Sequence, residues 1–318
     1  MSSNKQTAHV VIEKANSRLV GTALQHFQNA VAADADDRIP DVILNLLQST
    51  QYLERVVHTV PHPSYEHRYG ADALEKRRFY NIGAGNIGAG EMWYHPFWTA
   101  MDISLISPEA GISFDFNDHT PLPIETNTAK LIYSSHCLEH LNQKTLDHVL
   151  IESYRALEPG GLIRIAVPDI DIFYRAYRRQ ENDFFININD NSGQYGDLSL
   201  QQNFLAQFAY PCCCLSSESE KLHMSDSDVE DLFNQRSYEE ALDACIARIP
   251  DDLHYAEPPL INWLNAKKLS KLLTHAGFES VTRSACGQSE EMVLCDIACF
   301  DYTTPEISLY IEARKPEK

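Results

Sequence analysis

The chain has 318 residues, 44% of them hydrophobic and 22% charged, which is enough for one large domain with an appendage or for two small domains. Its formal net charge is −19, and a surface this acidic repels nucleic-acid backbone and anionic lipid, so neither nucleic acid nor membrane is an expected partner. The eight cysteines include the run Cys212, Cys213 and Cys214 but no C-x-x-C pair, so the usual zinc spacing is absent and no metal is expected. "MSSNKQTAHV" lacks the basic-then-apolar pattern of a secretory signal and no apolar run approaches membrane-spanning length, so a cytoplasmic protein with reduced thiols is expected.

In chain order, residues 1–75 read as helical. "ANSRLVGTALQHFQNAVAA" spaces Leu19, Leu24, Phe27 and Val31 at helical intervals, and "PDVILNLLQSTQYLERVVHTV" is a second helix lying between Pro40 and Pro61. This extension carries no legible chemistry and is expected to serve as a cap, a partner-binding helical pair or a homo-oligomer surface. From Arg77 onward the pattern turns to short apolar runs separated by turns and helices. "RFYNIG", "TAMDIS", "GISFDF" and "AKLIYSSH" read as strands; "TLDHVLIESYRAL" is an amphipathic helix stopped by Pro159, Gly160 and Gly161, and "LIRIAVPD" is a fifth strand. Near-continuous apolar strands alternating with helices predict a parallel sheet covered on both faces. Residues 171–254 are too long for a simple crossover and read as an insertion over the active edge of the sheet. "NAKKLSKLLTHAGF" is an amphipathic helix stopped by Gly277, and "ESVTRSACG" and "ISLYIEARK" are strands joined by a long loop. The expected division is a helical extension at 1–75, a core of 76–170 plus 255–318, and the insertion at 171–254.

The stretch "RFYNIGAGNIGAG" carries Gly83, Gly85 and Gly88 in the spacing G-x-G-x-x-G. After a strand, such a loop lets the backbone approach a ligand where a side chain would clash. Asp102, at the end of the second strand, stands where an acidic residue holds a ribose diol, and this suits either NAD or S-adenosylmethionine (SAM). The next segment separates the two. A pyrophosphate prefers the N-terminus of a full crossover helix. Here "EMWYHPFWTA" is aromatic and broken by Pro96, which argues against a regular dinucleotide helix. SAM carries no pyrophosphate and needs no such helix.

"YNIGAGN", "MDIS", "FDFNDHTPLPIETNTAKLIYSSHCLEHL" and "YRALEPGGLIRIAVPD" resemble, in order and spacing, the successive motifs of class I SAM-dependent methyltransferases, more narrowly the type 11-like predicted methyltransferases. The resemblance spans residues 77–170 and resumes at "LINWLNAKKLSKLLTHAGFESV" and the final strand. It implies a Rossmann-like, seven-stranded α/β sheet with its last strand antiparallel, SAM as cofactor, and methyl transfer to a small-molecule or sugar-type acceptor. It places Asn81, Gly83, Ala84 and Gly85 against the methionine end of SAM, Asp102 on the ribose hydroxyls, and Ile103 near the adenine. Asp115 and Phe116 border the adenine with Asp118 as competitor, and Ser135 stands at the carboxyl end of the fourth strand. Asn81 departs from the pattern, because that position is usually acidic and an amide offers no charge to the SAM ammonium.

Methyl transfer to an oxygen acceptor also needs a base. His136 is the first candidate, followed by His140 and Asp169. Trp93, Phe97 and Trp98 line the pocket or fill the core, and His254, Tyr255, Asn262 and Trp263 are placed to reach the acceptor side. Two other classes compete. An NAD-linked oxidoreductase or epimerase predicts a Tyr-x-x-x-Lys constellation, and "YRAYRR" has no lysine at that spacing. A non-catalytic SAM-fold scaffold is consistent with Asn81 and the helical extension.

Overall fold

Side chains of a strand alternate between two faces, so a strand apolar on both faces needs cover on each side. In β1 (Phe79–Ile82), β4 (Ala129–Ser135) and β5 (Leu157–Pro168), Ile82, Ile132 and Ile163 enter one hydrophobic cluster and Phe79, Leu131 and Leu162 another. The computed structural model describes residues 63–85, 93, 95, 97–105, 111–189, 198–213, 221–251 and 259–317. The helices expected before residue 63, together with Gly88, His254, Tyr255 and Cys214, lie outside the described residues.

With β2 (Trp98–Asp102), β3 (Gly111–Ser113), β6 (Glu279–Ser284) and β7 (Ser308–Arg314), the strands form one seven-stranded sheet in the order β3-β2-β1-β4-β5-β7-β6. β1 runs parallel to β2 and to β4, pairing Asn81 with Ala100 on one side and with Tyr133 on the other. β4 and β5 are parallel, whereas β7 is antiparallel to both β5 and β6. The carboxyl ends of β1, β2 and β4 therefore emerge at one edge, where open α/β sheets bind ligands.

One face is covered by α2 (Gln143–Ala156), which contributes Leu146, Val149 and Leu150, and by a later helix (Ala266–Ala276) contributing Leu269 and Leu273. Asn142 caps α2 by accepting from the Thr145 N–H at 2.9 Å. The later helix ends at Gly277, which adopts φ 105°, left-handed backbone that a Cβ would oppose. The other face is covered by α1 (Pro63–Glu75) and by an aromatic cluster of Tyr65, Trp93, Phe97, Trp98 and Phe300. Trp93, Phe97 and Trp98 thus fill the core.

After β5 the insertion builds α3 (Ile170–Arg178), α4 (Asn182–Asn189), α5 (Leu200–Ala206), α6 (Tyr210–Cys213), α7 (Asp226–Gln235) and α8 (Tyr238–Ile246), so the helix at Ala266–Ala276 is α9. The insertion has a core of its own around Phe173, Phe204, Phe208, Phe233 and Leu242, which also takes in Trp263. Cys212, Cys213 and Cys245 are buried in it, and burial pushes the Cys212 thiol up to about 11 and the Cys245 thiol up to about 12. They act as small apolar groups there.

Candidate functional site

The glycine loop leaves β1 and turns back against β2. The Gly83 and Ala84 N–H groups both donate to the Met101 carbonyl, at 2.8 and 3.2 Å. Gly83 adopts φ 71°, and a Cβ there would lie 2.2 Å from both Cβ and Sγ of Cys137, so only glycine fits. Gly85 faces β2: a Cβ there would approach Asp102 Oδ2 to 3.0 Å. Asp102 is anchored through its other oxygen, Oδ1, which accepts from the Ser104 N–H at 2.8 Å and the Ser104 hydroxyl at 2.7 Å. Loop backbone and a fixed carboxylate thus meet with no side chain between them. Beneath the loop Asn81 is 3% exposed, and its Oδ1 has no hydrogen-bond partner among the described residues. A buried acceptor left open is costly unless a ligand donor meets it.

Asp115 ends the segment after β3 and accepts through Oδ1 from the Asn117 N–H at 2.9 Å and from its amide nitrogen at 3.1 Å. It thereby caps the 3-10 turn Phe116–Asp118. Phe116 is buried in the core beside Ile82 and Met101, with its ring edge-on to Phe114 at 5.4 Å between centroids. Ile103 is 60% exposed and Ala84 is buried. Asp118 is exposed.

The carboxyl end of β4 carries the titratable groups. Ser135 closes the strand, and His136 follows at φ 49° with its N–H donating to the Ala166 carbonyl at 2.9 Å. His136 Nδ1 lies 3.3 Å from Glu139 Oε1, and Nε2 lies 2.8 Å from Ser308 Oγ. Ser308 Oγ in turn donates to the Thr304 carbonyl at 2.8 Å. Glu139, in the 3-10 turn Leu138–His140, is 2% exposed. Burial would raise its carboxyl, but the hydrogen bond to His136 and the adjacent His136 and His140 rings outweigh burial and hold it below the usual carboxylate range. Its main-chain carbonyl accepts from the Ile261 and Asn262 N–H groups at 3.0 and 3.1 Å, which ties the turn to the segment before α9.

His140 and Asp169 stand in other surroundings. His140 Nδ1 donates to the Pro259 carbonyl at 3.0 Å. Asp169 is 1% exposed, caps α3 through Oδ1, and pairs through Oδ2 with Arg283 at 3.0 Å. Burial and then the Asp171 charge raise its carboxyl, against the pull of Arg283. Asn262 is buried and bonded to the Leu141 carbonyl and to Lys268, and Trp263 donates to Asp243 Oδ1. Burial pushes the Lys268 ammonium, packed over the Trp263 ring, down to about 8. The sequence places Glu139 one turn beyond the fourth strand but gives it no role, and it does not single out Ser308 or Cys137. The contacts of Glu139 and Ser308 with His136, and of Cys137 with Gly83, come from strand order.

The pieces suit SAM. Two glycine positions leave the backbone accessible, Asp102 offers a carboxylate of the kind a ribose diol could use, and an orphaned acceptor, Asn81 Oδ1, stands under the loop. The family model for a methyltransferase domain matches residues 101–165. No curated protein matches the chain. Solved structures similar to it include a SAM-dependent methyltransferase from Thermotoga maritima, at 12% identity and TM-score 0.34, covering 75% of this chain and 82% of that one. Another, from Archaeoglobus fulgidus, has 13% identity and TM-score 0.35 over 79% and 91% of the two chains. Human N-acetylserotonin methyltransferase in complex with SAM has 13% identity and TM-score 0.35 over 96% of this chain and 70% of its own. At such scores no residue role passes from them to this chain. The segment similar to a methyltransferase domain runs from the end of β2 into β5, and so covers the strands of this sheet that carry Asp102 and Ser135; S-adenosylmethionine is the cofactor that this similarity supports.

Proposed function

We propose that the protein methylates a small-molecule acceptor, with carbohydrates the first class to examine, and that the insertion at 171–254 forms the lid of the acceptor side. The observation that carries this reading is the meeting of Gly83 and Gly85 with the anchored Asp102 carboxylate over the open Asn81 acceptor. In this reading Gly83, Ala84 and Gly85 give backbone access to the methionine part, Asp102 takes the ribose hydroxyls through the oxygen facing Gly85, and Asp115, Phe116 and Ile103 border the adenine. When bound, SAM supplies an electrophilic methyl group on its sulfonium.

The chain's own groups then position the acceptor and move its proton. His136 is the base. Its Nδ1 is held by Glu139, the carboxylate partner a catalytic imidazole needs to fix its orientation. Its Nε2, resting on Ser308 Oγ, is the nitrogen open to exchange, since that hydroxyl has the Thr304 carbonyl as a second partner. Asp169 and His140 serve the architecture of the edge, Asp169 as helix cap and ion-pair partner and His140 through the Pro259 carbonyl.

The test incubates the protein with SAM labelled in its methyl group and a small-molecule extract that includes free sugars. Label is expected to enter a small-molecule product, with the initial rate for an oxygen acceptor falling roughly 100-fold or more in His136→Gln, in line with loss of a general base. Label that stays in SAM with every fraction contradicts the reading.

A further inference from the structure

The further inference concerns how a loop with an amide in place of the usual acid holds a cofactor that carries an ammonium. It rests on the function proposed above. Glu139 is 2% exposed, and its two carboxylate oxygens have unequal surroundings. Oε1 meets His136 Nδ1 at 3.3 Å, whereas Oε2 has no partner outside its own residue among the described residues. An ionised carboxylate with one oxygen buried and unmet is costly, and in a native fold such a group marks a place where a donor binds.

The fold brings the turn that bears Glu139 beside the glycine loop. β1 and β4 are neighbours, with Asn81 paired to Tyr133, so the segment leaving β4 runs beside the segment leaving β1. Cys137, the residue before the turn that bears Glu139, fits into the space left by the missing side chain of Gly83. The Cys137 thiol is pushed up first by burial and then by the charges of Glu139 and Asp102, so both carboxylates lie close to the point where the loop and the β4 exit touch. Asn81 Oδ1, another open buried acceptor, lies on the β1 side of the same junction.

We propose that Glu139 supplies the negative charge for the cofactor's ammonium, its Oε2 accepting from that group alongside Asn81 Oδ1. The carboxylate usual on β1 is thus replaced by one on the 3-10 turn after β4. Glu139 consequently serves both substrates: Oε1 orients His136, and Oε2 holds the amino-acid end of the cofactor.

The experiment is a calorimetric titration of the wild-type chain and Glu139→Gln with two ligands. S-adenosylhomocysteine carries the ammonium, and 5′-methylthioadenosine has the same nucleoside but no amino-acid part. The substitution keeps the shape and removes the charge. It is expected to weaken S-adenosylhomocysteine binding by about tenfold to a hundredfold, the loss of one hydrogen bond to a charged group, and to leave methylthioadenosine affinity within about twofold of wild type. An equal loss for both ligands would mean that Glu139 only shapes the pocket, and no loss for either would mean that it does not face the cofactor; each outcome overturns the proposal. Failure of the wild-type chain to bind S-adenosylhomocysteine at all would instead sink the function proposed above. A second variant, Glu139→Gln with Asn81→Asp, returns a carboxylate on the β1 side. Recovery of most of the lost S-adenosylhomocysteine affinity is expected, and a double variant no tighter than Glu139→Gln contradicts a shared site for the two residues.

Discussion

At Gly83 the backbone takes φ 71° while Cys137 occupies the space a side chain would need, and at Gly85 the same absence admits the Asp102 carboxylate. The two glycines do different things: the first lets the chain turn and pack, the second opens the loop to the acid on β2. This division makes Asp102 the residue whose loss reads most directly on cofactor affinity. Asp102→Ala is expected to weaken S-adenosylhomocysteine binding by about 1.5–3 kcal/mol for each charged hydrogen bond lost, measured by calorimetry. An affinity equal to wild type would remove Asp102 from the site. Gly83, Gly85 and Asp102 were legible in the sequence because loop, strand and acid follow one another at a spacing that depends on local geometry alone. Glu139 was not. "LEHL" reads as one turn of helix, and what ties that turn in place is a main-chain contact with Ile261 and Asn262, far along the chain.

At the scale of elements, β5 shows the same contrast. Its apolar run fixed it as a strand, and the alternation of Ile163, Arg164 and Ile165 puts Arg164, like Leu162, on the face opposite α2 and α9. Arg164 is fully buried there and gathers the long β6–β7 connection. It donates to Asp301 through two nitrogens, to Glu312 and Ser284 at 2.8 Å each, and to the Ala285 and Gln288 carbonyls at 3.0 and 2.8 Å. The long loop between the last two strands is thus held down over the aromatic core, and the sequence could not indicate this because the acids answering Arg164 sit on other segments. Removing one partner strands buried charge, so Arg164→Met is expected to cost about 3–5 kcal/mol in chemical denaturation. A loss below about 1 kcal/mol would show that the network contributes only shape. The start of β5 also differs from expectation. α2 ends at Ala156, ahead of Pro159, Gly160 and Gly161, which lie inside the strand because it already begins at Leu157. Gly160, at φ 80°, and Gly161 extend the pairing to the end of β7 through the Lys315 carbonyl and N–H, at 2.9 Å each.

For the whole molecule, two cores sit on opposite faces of one sheet and a third lies in the insertion. The aromatic core encloses His95, which is 4% exposed, stacks on Trp93 with 6.2 Å between ring centroids, and accepts the Phe97 N–H through Nδ1 at 3.2 Å. Burial, and then the Arg77 charge, push its pKa down to about 3 from 6.5. The unfolded chain takes up a proton at this residue below pH 6.5 and the folded chain does not until about pH 3. The stability tied to a neutral His95 is therefore complete above pH 6.5 and is lost on acidification, at about 1.4 kcal/mol per pH unit across that window. Between pH 7 and pH 5, wild type is expected to lose about 2 kcal/mol more than His95→Gln in urea denaturation; equal losses would show that the ring is free to ionise in the fold. The parallel sheet and the helical insertion were legible from apolar runs and turn residues, and the antiparallel last strand only from the family resemblance. The burial of Trp93, Phe97 and Trp98 together was not, because an aromatic segment beside a cofactor loop reads equally as pocket lining. Among the described residues no helix is long and apolar enough to cross a membrane. What most needs testing is that the loop at Gly83–Gly85 holds SAM and not a dinucleotide. Calorimetric titration of the wild-type chain with S-adenosylhomocysteine and with NAD tests it most directly. One site for S-adenosylhomocysteine, with a Kd on the order of micromolar, and no heat with NAD is the expected result, and saturable NAD binding without S-adenosylhomocysteine binding would contradict it.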